Sequence, residues 1–183
     1  MFTSELDGTL KKWSLKSLSL IQSFSQAHDT AICSMALTSD DNSLFTSDTS
    51  GCLKFWSVKK LTVLKNYGVV HSNSIYSITL TCDDRFLFTS DSSGFLKQWN
   101  VKERKLAKDY GKVHEKGILT LTITHDGKYL FTSDLNGVLK QWSVKDRKIF
   151  RHHGQLDESG LCTLIPSLDS KCLFISSFSG YFY

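Results

Sequence analysis

Tryptophan recurs at positions 13, 56, 99 and 142, every 43 residues with no insertion between. A fixed period of about 40 to 45 residues decides the architecture before any single residue does. The repeat extends well beyond the indoles. Leu44-Phe45-Thr46-Ser47-Asp48 leads through Gly51 to Leu53-Lys54-Phe55-Trp56. Leu87-Phe88-Thr89-Ser90-Asp91 leads through Gly94 to Leu96-Lys97-Gln98-Trp99, and Leu130 to Asp134 leads through Gly137 to Leu139-Lys140-Gln141-Trp142.

Each unit reads as short strands. Ile75 to Thr81 is rich in β-branched and aromatic residues without helical spacing, and it ends at Cys82-Asp83-Asp84-Arg85. Phe86 to Ser90 forms a second strand closed by Asp91-Ser92-Ser93-Gly94, Phe95 to Val101 a third, and Lys105 to Tyr110 a weaker fourth. A turn roughly every ten residues makes this an antiparallel meander, the unit of a propeller blade. Gly8, Gly51, Gly94, Gly137 and Gly180 mark a place where positive φ is expected.

In these columns the chain resembles the WD-repeat family of β-propellers. His28, His71 and His114 stand 28 residues before their tryptophans, with Asp157 in that place in the last unit. Asp40, Asp83, Asp126 and Asp169 fill the first turn. The resemblance implies a buried tetrad of histidine, hydroxyl, aspartate and tryptophan, built on His28, Thr46 and Trp56, on His71, Thr89 and Trp99, and on His114, Thr132 and Trp142. The family's aspartate, six residues before tryptophan, is matched only by Asp7 and replaced by Ser50, Ser93 and Asn136. Glu5, Asp48, Asp91 and Asp134 stand two places earlier, and Asp48, Asp91 and Asp134 either take over the tetrad role or only cap the turn. The glycine before the family's histidine is Ala27, Val70 or Val113, and the aspartate after its tryptophan is Ser14, Ser57, Asn100 or Ser143.

The expected fold is therefore all-β, a WD-repeat-type propeller with three complete four-stranded blades and partial blades at both ends. A single domain over 1–183 would hold blade units at roughly 1–25, 26–68, 69–111, 112–154 and 155–183. The chain reads as entering and leaving mid-repeat. It would be a piece of a longer propeller, one half of a homodimeric ring, or a four-bladed closure. The last would have Gly160–Pro166 supply an inner strand to residues 2–24 and leave Lys171–Tyr183 unplaced.

Net charge is only +4, and the lysines recur by repeat instead of clustering, which sets nucleic acid aside as the leading partner. No apolar run approaches the roughly 18 residues that span a bilayer, and no signal-peptide pattern opens the chain. Five cysteines (Cys33, Cys52, Cys82, Cys162, Cys172) lack metal or disulfide spacing and read as small buried hydrophobes of a reducing, cytoplasmic setting.

Serine, histidine and aspartate recur together, but a catalytic constellation is needed once and these reappear in every unit. They read as mutually satisfied buried polar groups. Asp40-Asp41 and Asp83-Asp84 read as turn residues bonding their own backbone. His152-His153 reads as an exposed loop with no metal partner. No catalytic, cofactor or metal residues are expected. Lys11, Lys54, Lys97 and Lys140 read as aliphatic stems along the tryptophans with ammonium groups in water; the alternative is a cationic ring for acidic partners. Phe24, Tyr67 and Tyr110 read as filler between blades, in the connections before the histidines.

Positions that break the repeat are the informative ones, because loops on a scaffold carry binding. Asp29, Thr30, Ser72, Asn73, Ser74, Glu115, Lys116, Glu158 and Ser159 differ from unit to unit beside the histidine column, and they are the candidate contacts for protein or peptide partners. The expected function is a non-enzymatic scaffold. The alternatives are a regulatory propeller within a larger enzyme or complex, and a binder of nucleic acid or acidic surfaces through the lysines.

Overall fold

A computed structural model describes residues 1–182; Tyr183, the last residue of the fifth unit, lies outside them. Seventeen strands and no helix make up the described residues. They divide into two compact units, Met1–Ile75 and Tyr76–Tyr183. In the first, β1 (Phe2–Ser4), β2 (Leu10–Trp13) and β3 (Leu20–Phe24) form one sheet, and β4 (Ile32–Leu37), β5 (Ser43–Asp48), β6 (Cys52–Ser57) and β7 (Thr62–Val69) a second.

The second unit holds β8 (Ile75–Leu80, whose first residue marks the boundary), β9 (Phe86–Asp91), β10 (Phe95–Asn100) and β11 (Lys105–Lys112). It continues with β12 (Ile118–Ile123), β13 (Tyr129–Asp134), β14 (Val138–Ser143) and β15 (Lys148–Gln155), then β16 (Leu161–Pro166) and β17 (Leu173–Ser177). The sheets are antiparallel meanders in sequence order, four-stranded for β4–β7, β8–β11 and β12–β15. They are propeller blades.

Fourth strands run longer than the sequence suggests, reaching Lys112 in β11, because two register shifts against β10 let the strand bend along its neighbour. Leu161–Pro166 pairs with Leu173–Ser177. Leu173–Ser177 of the last segment therefore lies against a strand.

The core of each unit lies between adjacent sheets. In the first, Trp56 and Leu44 pack with Leu10, Ala27 and Ile32. In the second, Trp142, Leu130 and Leu121 pack with Phe88 and Leu96 of the preceding sheet. Burying one such aromatic side chain is worth about 1.5–3 kcal/mol.

The repeated glycines join the sheets. Gly51 has φ +82°, and a Cβ there would meet the His71 carbonyl oxygen at 2.0 Å. Gly94 stands likewise against His114, at 2.1 Å. The same glycine carbonyl accepts from the histidine N–H, at 3.3 Å for His71 and 3.2 Å for His114. Glycine is thus fixed twice, by dihedral and by close approach.

Candidate functional site

Asp48 ends β5 two residues after Thr46, so strand alternation puts both side chains on one face. His28 bridges them, with Nδ1 2.7 Å from Asp48 Oδ2 and Nε2 2.7 Å from the Thr46 hydroxyl. The indole N–H of Trp56 donates to the same hydroxyl at 2.8 Å. For a neutral imidazole, the form that burial favours, one proton arrangement satisfies all three bonds. Trp56 donates to Thr46, Thr46 donates to His28 Nε2, and His28 Nδ1–H donates to the carboxylate.

The other oxygen of Asp48 closes the turn. Oδ1 accepts from Ser50 N at 3.0 Å, the Ser50 hydroxyl at 2.8 Å and Cys52 N at 2.8 Å. One carboxylate therefore both orients the histidine and caps the turn, so the two sequence alternatives hold together. Asp134 repeats the design. It meets His114 Nδ1 at 3.0 Å and the amides of Asn136 and Val138 at 3.0 Å, while Thr132 meets His114 Nε2 at 2.7 Å. Trp142 donates to Thr132 at 3.0 Å. In the middle repeat Trp99 donates to Thr89 at 3.1 Å, Asp91 Oδ1 accepts from Ser93 N and Phe95 N at 2.9 Å, and His71 is buried. Asp7, the match to the family's usual aspartate position, only caps its own turn, accepting from Thr9 N at 2.9 Å.

Burial pushes the His28 and His114 pKa values down, more than the adjacent carboxylates pull them up. Burial alone would raise Asp134, but bonds from His114 and the turn amides outweigh it and hold the carboxyl below its usual range. Asp40 is held at about 2 by hydrogen bonds from Thr38 and Asn42, and Asp126 at about 2 by Thr124 and Lys128. These first-turn aspartates bond local groups. Asp41 and Asp84 take the left-handed backbone beside them, with φ of 57° and 53°.

Several sequence readings need correction. Cys33, Cys82 and Cys172 are exposed and Cys52 and Cys162 half-buried, because alternation turns Cys33 away from the core that its neighbour Ile32 enters. His152 and His153 lie within β15, not in a loop, and His153 Nε2 is 3.1 Å from Gln141 Oε1. Phe24, Tyr67 and Tyr110 belong to the last strands of their sheets, not to connections. Phe24 and Tyr110 meet the next tryptophan edge-on, with ring centroids 5.3 Å and 5.5 Å apart.

The lysine column is engaged, not free in water. Lys54 Nζ donates to the Ala27 carbonyl at 2.7 Å, and Lys140 donates to that of Val113. Lys97 lies 3.6 Å from Asp109, and Lys11 pairs with Glu5. Lys54 and Lys140 thus clamp the residue just before the histidine, where the family's glycine would stand.

Three stretches, 18–57, 61–100 and 108–143, match the family model described as WD domain, G-beta repeat, and together make up well over half of the chain. The chain belongs to the WD-repeat family. A search of the curated proteins finds no match. WD-repeat domains generally serve as scaffolds for protein–protein interaction and are typically non-enzymatic. No described helix is long and apolar enough to cross a membrane, and no metal-binding cluster of His, Cys, Asp and Glu occurs among the described residues.

In this WD-repeat chain the candidate contact residues lie in the connections that lead from a fourth strand to the next first strand. Asp29, Ser72, Asn73, Glu115, Lys116, Glu158 and Ser159 are exposed, and Thr30 and Ser74 half-buried. Ser74 Oγ donates to the Thr49 carbonyl at 2.8 Å, Glu115 pairs with Lys112 at 3.1 Å, and the Ser159 hydroxyl donates to Asp157 at 2.6 Å. Each connection is tethered at its base and open at its tip.

Proposed function

We propose that the chain is a non-enzymatic scaffold whose histidine-side connections recruit protein or peptide partners. We read its five sheets as blades of one propeller, with units near 1–25, 26–68, 69–111, 112–154 and 155–183. One observation carries the reading. The residues that repeat are spent inward, in tetrads and glycine contacts, while those that vary are exposed or half-buried on the connections between sheets. Asp29, Thr30, Ser72, Asn73, Ser74, Glu115, Lys116, Glu158 and Ser159 would make the contacts. Fixed bases lower the ordering cost of binding.

The test is quantitative cross-linking of partners to the wild-type chain and to a variant carrying Asp29→Lys, Asn73→Ala, Glu115→Lys and Glu158→Lys. Partner recovery should fall at least about tenfold while the unfolding free energy stays within the about 0.5 kcal/mol typical of surface changes. Unchanged recovery refutes the reading. A binding constant that collapses between about 50 and 200 mM salt would favour phosphate contacts through lysine instead.

A further inference from the structure

Between β8–β11 and β12–β15 a cleft of about 500 Å³ opens at the end of the sheets opposite the histidine-side connections. Its walls are the turns that follow β8, β12 and β14. Arg85 and Arg147 reach it from different sheets and share one platform. Their guanidinium carbons lie 5.5 Å and 5.7 Å from the centroid of the Phe86 ring. Phe86 is itself rooted in the core between the two sheets, against the cluster that holds Trp142 and Val144. Lys108 Nζ donates to the Arg147 carbonyl at 2.6 Å, which ties the turn carrying Arg147 to the neighbouring sheet.

The rest of the lining decides which partner this pair fits. Asp83, Asp126 and Asp146 border the cleft, and each already has its own donors. Asp83 accepts from the Thr81 hydroxyl at 2.6 Å and the Arg85 backbone N–H at 3.0 Å. Asp126 accepts from the Thr124 hydroxyl at 2.6 Å and pairs with the Lys128 ammonium at 3.0 Å, and Asp146 accepts from the Ser143 hydroxyl at 2.8 Å. The Asp83 carboxylate stands 3.8 Å from the Arg85 guanidinium, beyond hydrogen-bond reach. Among the described residues no carboxylate pairs with Arg147 or with Lys145, which also lines the cleft. Carboxylates set between the cations repel a uniformly anionic surface, such as nucleic acid or a layer of lipid headgroups, but not one compact anion beside the arginines. The sequence marks the same place. Arg85-Phe86 stands where other repeats carry Asn42-Ser43, Lys128-Tyr129 and Lys171-Cys172.

We propose that this cleft binds a phosphorylated serine or threonine on an extended segment of a partner protein, with Arg85 and Arg147 holding the phosphoryl oxygens. A phosphoryl group carries about two negative charges at pH 7, which matches two guanidinium groups whose planar forks take its oxygens in pairs. The Phe86 ring orders both arginines before the ligand arrives and so lowers the cost of binding. The cleft is of ligand-site size and holds more than an anion alone. Past Arg147 it meets a groove beside Tyr110, Trp142 and Ile149, where flanking residues of the segment would lie. Lys108, Lys112 and Lys148 run along that groove, and its Asp109 faces Lys97 at 3.6 Å. The site shares no residue with the histidine-side connections, so its failure leaves the reading above standing.

The test probes the full chain on an array of short synthetic peptides with a central phosphoserine and random flanks, beside the same array with serine. The best phosphopeptide is then labelled and titrated by anisotropy. It should bind at least about thirtyfold tighter than its serine form. Arg85→Gln and Arg147→Gln should each weaken it at least about tenfold. Both arginines are exposed, so these variants should keep the wild-type unfolding midpoint. Phe86→Leu, which keeps an apolar side chain and removes the ring, should weaken binding about threefold, and Lys60→Ala, on an exposed turn elsewhere, should leave it unchanged. An array without preference for phosphoserine overturns the proposal, as do arginine variants that bind as the wild type does. Inorganic phosphate that displaces the peptide at equal concentration would reassign the cleft to a free anion, and equally tight binding to phosphatidylserine vesicles would reassign it to a membrane; either result overturns the peptide occupant.

Discussion

Asp134→Ala removes one carboxylate and strands three donors: His114 Nδ1–H and the amides of Asn136 and Val138, each at 3.0 Å. His114 is fully enclosed, so its lost bond to a charged acceptor costs about 1.5–3 kcal/mol. Water can replace part of the loss at the turn, where each amide counts for about 1 kcal/mol. The expected total is roughly 3–5 kcal/mol, a fall in unfolding midpoint on the order of 10 °C for a chain of this size. Asn136→Ala, at the place where the family carries its usual aspartate, changes only an exposed side chain and keeps its N–H bond, so it should cost about 0.5 kcal/mol or less. Asp134→Asn should fall between, since an amide serves the turn or the imidazole but not both. Urea titrations compared at constant slope measure all three. A cost for Asp134→Ala below about 1 kcal/mol, or a cost for Asn136→Ala equal to it, would refute the assignment of Asp134 to the tetrad.

Two further predictions concern protons and thiols. The folded-state pKa values of His28 and His114 lie below the ordinary 6.5, so their stabilising contribution is complete above that value and is lost as pH falls through the folded values; Asp134, depressed below 3.8, adds a further loss in the acid range. Stability should therefore drop between about pH 7 and pH 5, and His114→Gln should flatten that slope; an unaltered slope counts against burial of a neutral imidazole. Native-state alkylation read by mass spectrometry should modify Cys33, Cys82 and Cys172 before Cys52 and Cys162; uniform resistance of all five would contradict their exposure.

The fold was legible because period, strand alternation and turn residues agree in every unit. The tetrad aspartate was not, and one residue of strand length explains why. Reading the second strand as ending at Ser90 puts Asp91 in the turn, where its side chain has no defined face. The strand in fact runs through Asp91, as its counterparts run through Asp48 and Asp134. Once Asp48 is in the strand, the i, i+2 rule sets it beside Thr46. The cysteines misled for a related reason. Cys33 gives way to Tyr76 and Leu119 in the next repeats, which suggests an apolar place, yet it lies on the strand face opposite buried Ile32. The lysines misled because a carbonyl 27 residues away is invisible to pattern, though it takes the Lys54 ammonium.

The same bonds explain where function can reside. A buried polar network tolerates no missing member, since each stranded donor costs more than the bond contributes. His28, Thr46, Asp48 and Trp56 are each bonded to another member of the set. Changing one for a new purpose would strand its neighbours, so these columns are locked into repetition. Asp29 and Asn73 carry no such debt, because their side chains are exposed and sit one and two residues from a buried histidine that anchors the backbone. Ile175 shows the other route to novelty. Where the hydroxyl is lost, the histidine column is lost with it: Asp157 occupies that place and binds Ser159 and Ser179 instead. In the last repeat Asp157 and Ile175 thus replace two members of the polar tetrad together, as a network in which each member satisfies another requires.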